Sequence, residues 1–114
     1  MTTRHLGLYE VEVLATLSKQ SGSGIELLTV MNNARVQIKR PTSSVGAIYT
    51  TLARLAEKGY VASYVTEPKP IRGGRRIRRY VISDLGHEAL KRTMDVYALF
   101  DSRGVSNLSS SAPA

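Results

Sequence analysis

Ser43-Ser44-Val45-Gly46-Ala47-Ile48-Tyr49-Thr50-Thr51-Leu52-Ala53-Arg54-Leu55-Ala56-Glu57-Lys58-Gly59-Tyr60-Val61 is the stretch on which the fold turns. Val45, Ile48, Leu52 and Leu55 recur at spacings of three, four and three, which draws one apolar stripe over about three turns of helix. Thr42 or Ser43 can cap its start by offering a side-chain oxygen to an orphan amide. Gly59 suits the left-handed conformation just past a helix end. With the stripe turned inward, a helical wheel turns Ser43, Gly46, Ala47, Thr50 and Arg54 outward and leaves Tyr49 on the boundary. Small residues near the start let the backbone come close to a partner, and the first-turn amides can meet a phosphate. Taken alone, the same pattern fits an ordinary amphipathic surface helix, so the neighbouring segments decide.

Downstream, Tyr60 to Thr66 and Tyr80-Val81-Ile82 are rich in Val and Tyr and read as strands. Pro68, Pro70 and the pair Gly73-Gly74 make the segment between them a long, turn-containing hairpin tip. Lys69, Arg72, Arg75, Arg76, Arg78 and Arg79 place six positive charges in eleven residues without an Asp or Glu, and the formal charge of +7 leaves only +1 for the rest. A concentrated basic element on a nearly neutral body implies a polyanion, most often nucleic acid; a solvated charge run or a membrane-surface patch is the blander account.

Upstream, Leu8, Val11, Leu14, Ala15 and Leu17 give a helical stripe over about Leu6 to Lys19, broken by Ser21-Gly22-Ser23-Gly24. Ser23-Gly24-Ile25-Glu26 has the capping-box pattern and opens a second helix to about Ala34, with Ile25, Leu28 and Met31 expected inside. Arg35 to Arg40 reads as a connector, because Val36 and Ile38 alternate and Pro41 prevents a helix from passing through. At the other end Ser83 caps a last helix from about Asp84 to Phe100, with Asp84 and Glu88 where the helix dipole favours negative charge. Leu90, Met94 and Tyr97 fall at spacings of four and three on it, broadened by Ala89, Val96 and Phe100. Since three helices and a hairpin already close a core, this stripe reads as a dimer seam in preference to a helix packed on its own domain. The Ser-rich stretch from Ser102 to Ala114 reads as a disordered tail.

The expected fold class is therefore α+β, mainly α: a winged helix-turn-helix of three helices plus a two-stranded basic wing over 1–82, a C-terminal dimerisation helix over 83–101, and a tail over 102–114. A chain of 114 residues can build one apolar core. Enzymatic constellations are lacking. There is no cysteine, which excludes disulfides, thiolate metal sites and cysteine nucleophiles and fits a reducing cytoplasm. His5 and His87 are the only histidines, Gly73-Gly74 lacks phosphate-loop spacing, Glu10 and Glu12 point apart on a helix, and Ser109-Ser110-Ser111 has no base beside it. No catalytic residue, metal ligand or cofactor is expected. No apolar run approaches the roughly 18 residues of a membrane span, and Glu10 and Glu12 interrupt any secretory apolar region near the start.

The joint text Gly46 to Val61, Glu67-Pro68, Arg72-Gly73-Gly74-Arg75-Arg76, Tyr80 and Gly86-His87-Glu88-Ala89-Leu90 resembles the PadR-like transcriptional regulators over the whole chain except the tail. The resemblance implies a DNA-binding winged helix with Tyr49, Thr50 and Arg54 on or beside the recognition helix and Arg72 to Arg76 in the wing. It also implies a homodimer through the last helix, with the first helix often helping, and the length looks like the short branch of the family. Members typically repress transcription and release DNA when a small molecule binds. The candidate DNA-contacting set is Ser43, Ser44, Ala47, Tyr49, Thr50, Arg54, Arg72, Gly73, Arg75, Arg76 and Arg78, and the candidate dimer contacts are Leu90, Met94 and Tyr97. Two features depart from the pattern: the last helix is short before Ser102, and Ser23 precedes Gly24 where many relatives carry an aromatic. The rival reading is a winged helix whose basic hairpin meets RNA or an acidic protein surface, followed by an effector-binding scaffold without DNA contact. An inverted repeat upstream of the gene would favour the dimeric operator reading.

Overall fold

The computed structural model describes residues 6–66 and 76–100. In chain order these form α1 (Leu8–Lys19), β1 (Gly22–Ser23), α2 (Gly24–Gln37), α3 (Val45–Glu57), β2 (Val61–Val65), β3 (Arg78–Ile82) and α4 (Asp84–Leu99). The mainly helical α+β arrangement with a wing is the expected one. Its sheet has a third strand, however: β1 joins the expected hairpin in the antiparallel order β1-β3-β2, with Gly22 opposite Tyr80 and Val61 opposite Ile82.

One core serves all these elements. Val13, Leu14 and Leu17 of α1, Leu27, Leu28 and Met31 of α2, and Ile48, Leu52 and Leu55 of α3 pack with Leu6, Val61, Tyr80 and Ala89. The inward faces depart from the expectation at single positions. Leu8, Ile25 and Val45 are exposed, and Val13, Leu27 and Thr51 are buried instead. Leu8 and Val45 each open their helices, where less than a full turn of neighbours covers a side chain. Ile25 stands beside the Ser23 cap, outside the stripe that Leu27, Leu28 and Met31 define.

The segment read as a connector is partly helix. α2 continues to Gln37, and Val36 and Ile38 point to solvent, so their alternation marks no strand. Pro41 stops the helix only from a distance. Lys39, just past the Ile38 cap, takes a left-handed φ of 61°. The cap of α3 is Ser44 and neither Thr42 nor Ser43. Ser43 is otherwise engaged: its amide donates to Asn32 Oδ1 at 2.7 Å, its carbonyl accepts from Asn32 Nδ2 at 3.1 Å, and its hydroxyl meets that of Tyr9. The tail over 102–114 lies outside the described residues.

Two glycines fix the junction to α4. Gly59 has the positive φ of 82° expected of it. Gly86, in the first turn of α4, lies so close to the carbonyl of Tyr60 and to Ile82 that a Cβ would be driven onto the Tyr60 oxygen. Ser83 caps this helix by accepting from the Gly86 amide at 3.0 Å, as expected. Substituting Gly86→Ala should cost about 2 kcal/mol through overpacking against backbone, a loss of roughly 10 °C in melting temperature. Gly46→Ala, with open space where the Cβ would stand, should instead raise it. Equal melting temperatures for the two variants in calorimetry would contradict this packing.

Glu10 and Glu12, set aside as a catalytic pair, are ties. Glu10 binds Lys58 at the end of α3 at 2.8 Å, and Glu12 grips Arg35 near the end of α2 at 2.7 Å. Burial pushes the Glu10 carboxyl up, but the hydrogen bonds from Lys58 and the Gly7 amide outweigh it and hold the group below its ordinary value of 4.5. A folded value below the unfolded one means stability that is complete above about pH 4.5 and is lost as pH falls through the lowered value. Glu10→Gln should therefore destabilise by up to about 1 kcal/mol at neutral pH, and the gap from wild type should close in acid. Melting curves measured across the acid range check this, and a constant gap would refute it.

Candidate nucleic-acid interface

α3 presents a bare face. Ser44 caps its start by accepting from the Ala47 amide at 3.1 Å. Ser44, Gly46, Tyr49, Thr50 and Arg54 are exposed, along with Val45 and Ala53, while Ala47 is half-buried. The helical-wheel placement of Ser43 among the outward residues does not hold. That residue precedes the helix, and its side chain anchors the helix start to Tyr9. Thr50 and Arg54 are free of hydrogen-bond and ion-pair partners among the described residues, although Glu10 and Arg54 lie within electrostatic reach.

Tyr49 joins this face to its surroundings. Its ring lies against Gly24, where a Cβ would collide with it. Burial pushes the Tyr80 hydroxyl above the ordinary phenol range, Arg78 pulls it back, and Tyr49 adds to the rise, so the three side chains share one electrostatic neighbourhood. α3, the start of α2 and the wing meet here.

Strand alternation divides the arginines of β3. Tyr80 and Ile82 turn toward the core, and Arg78, two residues before Tyr80, lies on that same face beyond the core's edge. There it donates from Nη1 to Ser63 Oγ of β2 at 2.8 Å. Arg79 points to the other face and pairs with Glu26 of α2 at 3.1 Å. The contact with Glu26 raises the Arg79 pKa, while the Ser23 amide, then Arg79, lowers that of Glu26. Thr66 and Ile77 close the described ends of the hairpin, the Thr66 amide donating to the Ile77 carbonyl at 2.9 Å. Arg76 is exposed just beyond; Arg72, Gly73 and Arg75 lie outside the described residues.

On α4 the three expected seam residues part company. Leu90 is half-buried against the core, whereas Met94 and Tyr97 are exposed, with Val96, Leu99 and Phe100 around them. His87 is exposed. Among the described residues no cluster of acidic and histidine side chains could hold a metal ion, and no helix is long and apolar enough to cross a membrane.

The sequence reading missed the residues that position this surface: Tyr9, Asn32, Arg35, Ser63 and Gly24. Asn32 offered one signal, since asparagine is a poor helix former and two helical Asn in a row invite a search for side-chain to backbone bonds. The others act through contacts distant in sequence.

Residues 13–92 match the sequence profile of the Transcriptional regulator PadR-like family. No curated protein sequence matches the chain. Among solved structures, the fold is similar to that of a PadR-like transcriptional regulator from Bacillus cereus, with TM-score 0.70 and 24% identity, covering 90% of this chain and 91% of that one. A PadR family transcription regulator from Clostridium difficile gives TM-score 0.69 and 19% identity over 90% of this chain and 99% of that one. Bacillus subtilis PadR, solved in complex with operator DNA, gives TM-score 0.66 and 18% identity over 77% of this chain and 47% of that one. With a profile match running from α1 into α4 over a winged fold shared with these regulators, the chain belongs to the PadR-like family of transcriptional regulators.

Proposed function

We propose that two copies of this chain bind an inverted-repeat operator as a repressor, each laying α3 in a major groove with the wing beside it. The observation that carries this reading is the bare face of α3, where Gly46, Thr50 and Arg54 stand exposed on a helix whose other face is fully buried. A major-groove helix needs this division, and short side chains there bring base edges within reach. Arg78 of the wing shares the neighbourhood of Tyr49 on α3, and the operator complex of the Bacillus subtilis relative supports assigning this surface to DNA. The protein acts by binding, without covalent chemistry, and release by a small molecule rests on the family resemblance.

Within this reading Thr50 and Arg54 approach base edges, and Arg76, with Arg75 and Arg72 outside the described residues, serves phosphates. Ser44, Ala47, Tyr49, Gly73 and Arg78 complete the surface, and Ser43 contributes by fixing the helix start. Removing one phosphate contact lowers the salt slope of log affinity by about 0.9, hence about 1.8 in a symmetric dimer. Arg76→Gln should show this drop equally on operator and scrambled duplexes. Thr50→Ala should keep the slope and lose about 1–3 kcal/mol on the operator alone. The reverse pattern in salt titrations would invert these roles.

The dimer is assigned to the exposed end of α4. Met94, Tyr97 and Phe100 share one side there at helical spacing, with Leu90 joining them to the core. Sedimentation at micromolar concentration should give twice the chain mass, and Met94→Glu should shift the protein toward monomer while the melting temperature of the winged domain stays nearly unchanged. A wild-type monomer that binds operator tightly would rule out this assembly.

A further inference from the structure

The connection between α2 and α3 carries charge that neither the fold nor the surface described above uses. From Leu27 to Ala56 the only charged side chains are Arg35, Lys39, Arg40 and Arg54, with no carboxylate among them. Arg35 is consumed internally. Its Nε and Nη2 donate to the Glu12 carboxylate at 2.8 and 2.7 Å, its Nη1 donates to the Pro41 carbonyl at 2.9 Å, and its guanidinium lies 5.5 Å from the centroid of the Tyr9 ring. Lys39 and Arg40 are exposed and form no ion pair among the described residues.

Their backbone is anchored by hydrogen bonds. Lys39 sits just past the cap of α2 in the left-handed region, a position whose geometry favours glycine. The chain keeps a lysine there at the expense of strain. Its amide donates to Val36 at 3.0 Å and that of Arg40 to Arg35 at 2.8 Å, while Arg35 holds Pro41 and Asn32 holds Ser43. Arg40 lies four residues before Ser44, the cap of α3, so the backbone holds both cations within roughly 14–18 Å of the start of that helix.

We propose that this connection is a third DNA-contacting element, in which Lys39 and Arg40 each engage a backbone phosphate and Arg35 is the positioning residue that holds them there. The proposal rests on the assignment of α3 to DNA and adds two contacts that carry affinity without sequence choice.

The test is a titration of the full chain against a fluorescein-labelled duplex of random sequence at several salt concentrations, read by anisotropy. The double variant Lys39→Gly, Arg40→Gln should lower the salt slope by about 1.8 per bound chain, hence about 3.6 for a bound dimer, so that the dimer's affinity falls roughly 150-fold less than that of wild type between about 50 and 200 mM salt. Lys39→Gly alone should hold or raise the melting temperature, because it relieves the left-handed strain, which separates lost binding from lost folding. Arg35→Lys keeps the net charge, so a fall in its slope reports misplaced cations and not missing ones. Lys91→Gln on α4 should change nothing. An unchanged slope in the double variant, beside a wild type that binds with strong salt dependence, would overturn this element and leave the assignment of α3 standing. A wild type without salt-dependent binding would overturn both.

Discussion

Ile48, Leu52 and Leu55 lose all contact with solvent when α3 settles onto α1, α2 and the base of the wing. Burying such a side chain is worth about 1.5–3 kcal/mol, and the spacing that buries all three on one side leaves the other side without structural duty. The bare face with Gly46, Thr50 and Arg54 follows from that packing. So does the role of α1, whose Val13, Leu14 and Leu17 form the floor on which α3 lies. Its two glutamates then fix the ends of the neighbouring helices, Glu10 through Lys58 and Glu12 through Arg35. These are partly buried, hydrogen-bonded pairs between elements, so losing one partner would leave a desolvated charge as well as a lost attraction.

Around this floor the polar contacts settle orientation. Asn32 and Tyr9 set where α3 begins, Gly24 receives the ring of Tyr49, and the alternation of β3 sends Arg78 to one face and Arg79 to the other. Arg79 is neutralised by Glu26, so among the described residues the wing's positive charge without a carboxylate partner is that of Arg76 and Arg78. Net charge in the sequence pointed to a polyanion, but pairing decides which arginines stay free to meet one.

Elements with strong local signals were legible in the sequence. The stripe of α3 from Ile48 to Leu55, the capping box at Ser23, the left-handed Gly59 and the Ser83 cap all rest on neighbours within a few residues, and the structure has each of them. The bare face of α3 was legible for the same reason. What escaped depends on distant partners. β1 is two residues long and exists only because Tyr80 and Arg79 offer it an edge. The last turn of α2 was hidden by Val36 and Ile38, whose alternation imitates a strand although both face solvent. Ser43 was read as an outward helix residue because nothing local announces that Asn32, eleven residues earlier, will hold its amide and carbonyl.

The two-residue strand also bears on the order in which this domain comes together. The β2–β3 hairpin and the three helices form from nearby segments, whereas Gly22 meets Tyr80 only after most of the chain has been gathered between them. A ladder so short, closing so large a loop, cannot hold itself together and depends on the core that gathers α2 and β3. The same approach of α2 to the wing seats Gly24 against the ring of Tyr49 and Glu26 beside Arg79. β1 thus reports on the core beneath it: the strand pairs only while Leu27 of α2 and Tyr80 of β3 are packed together.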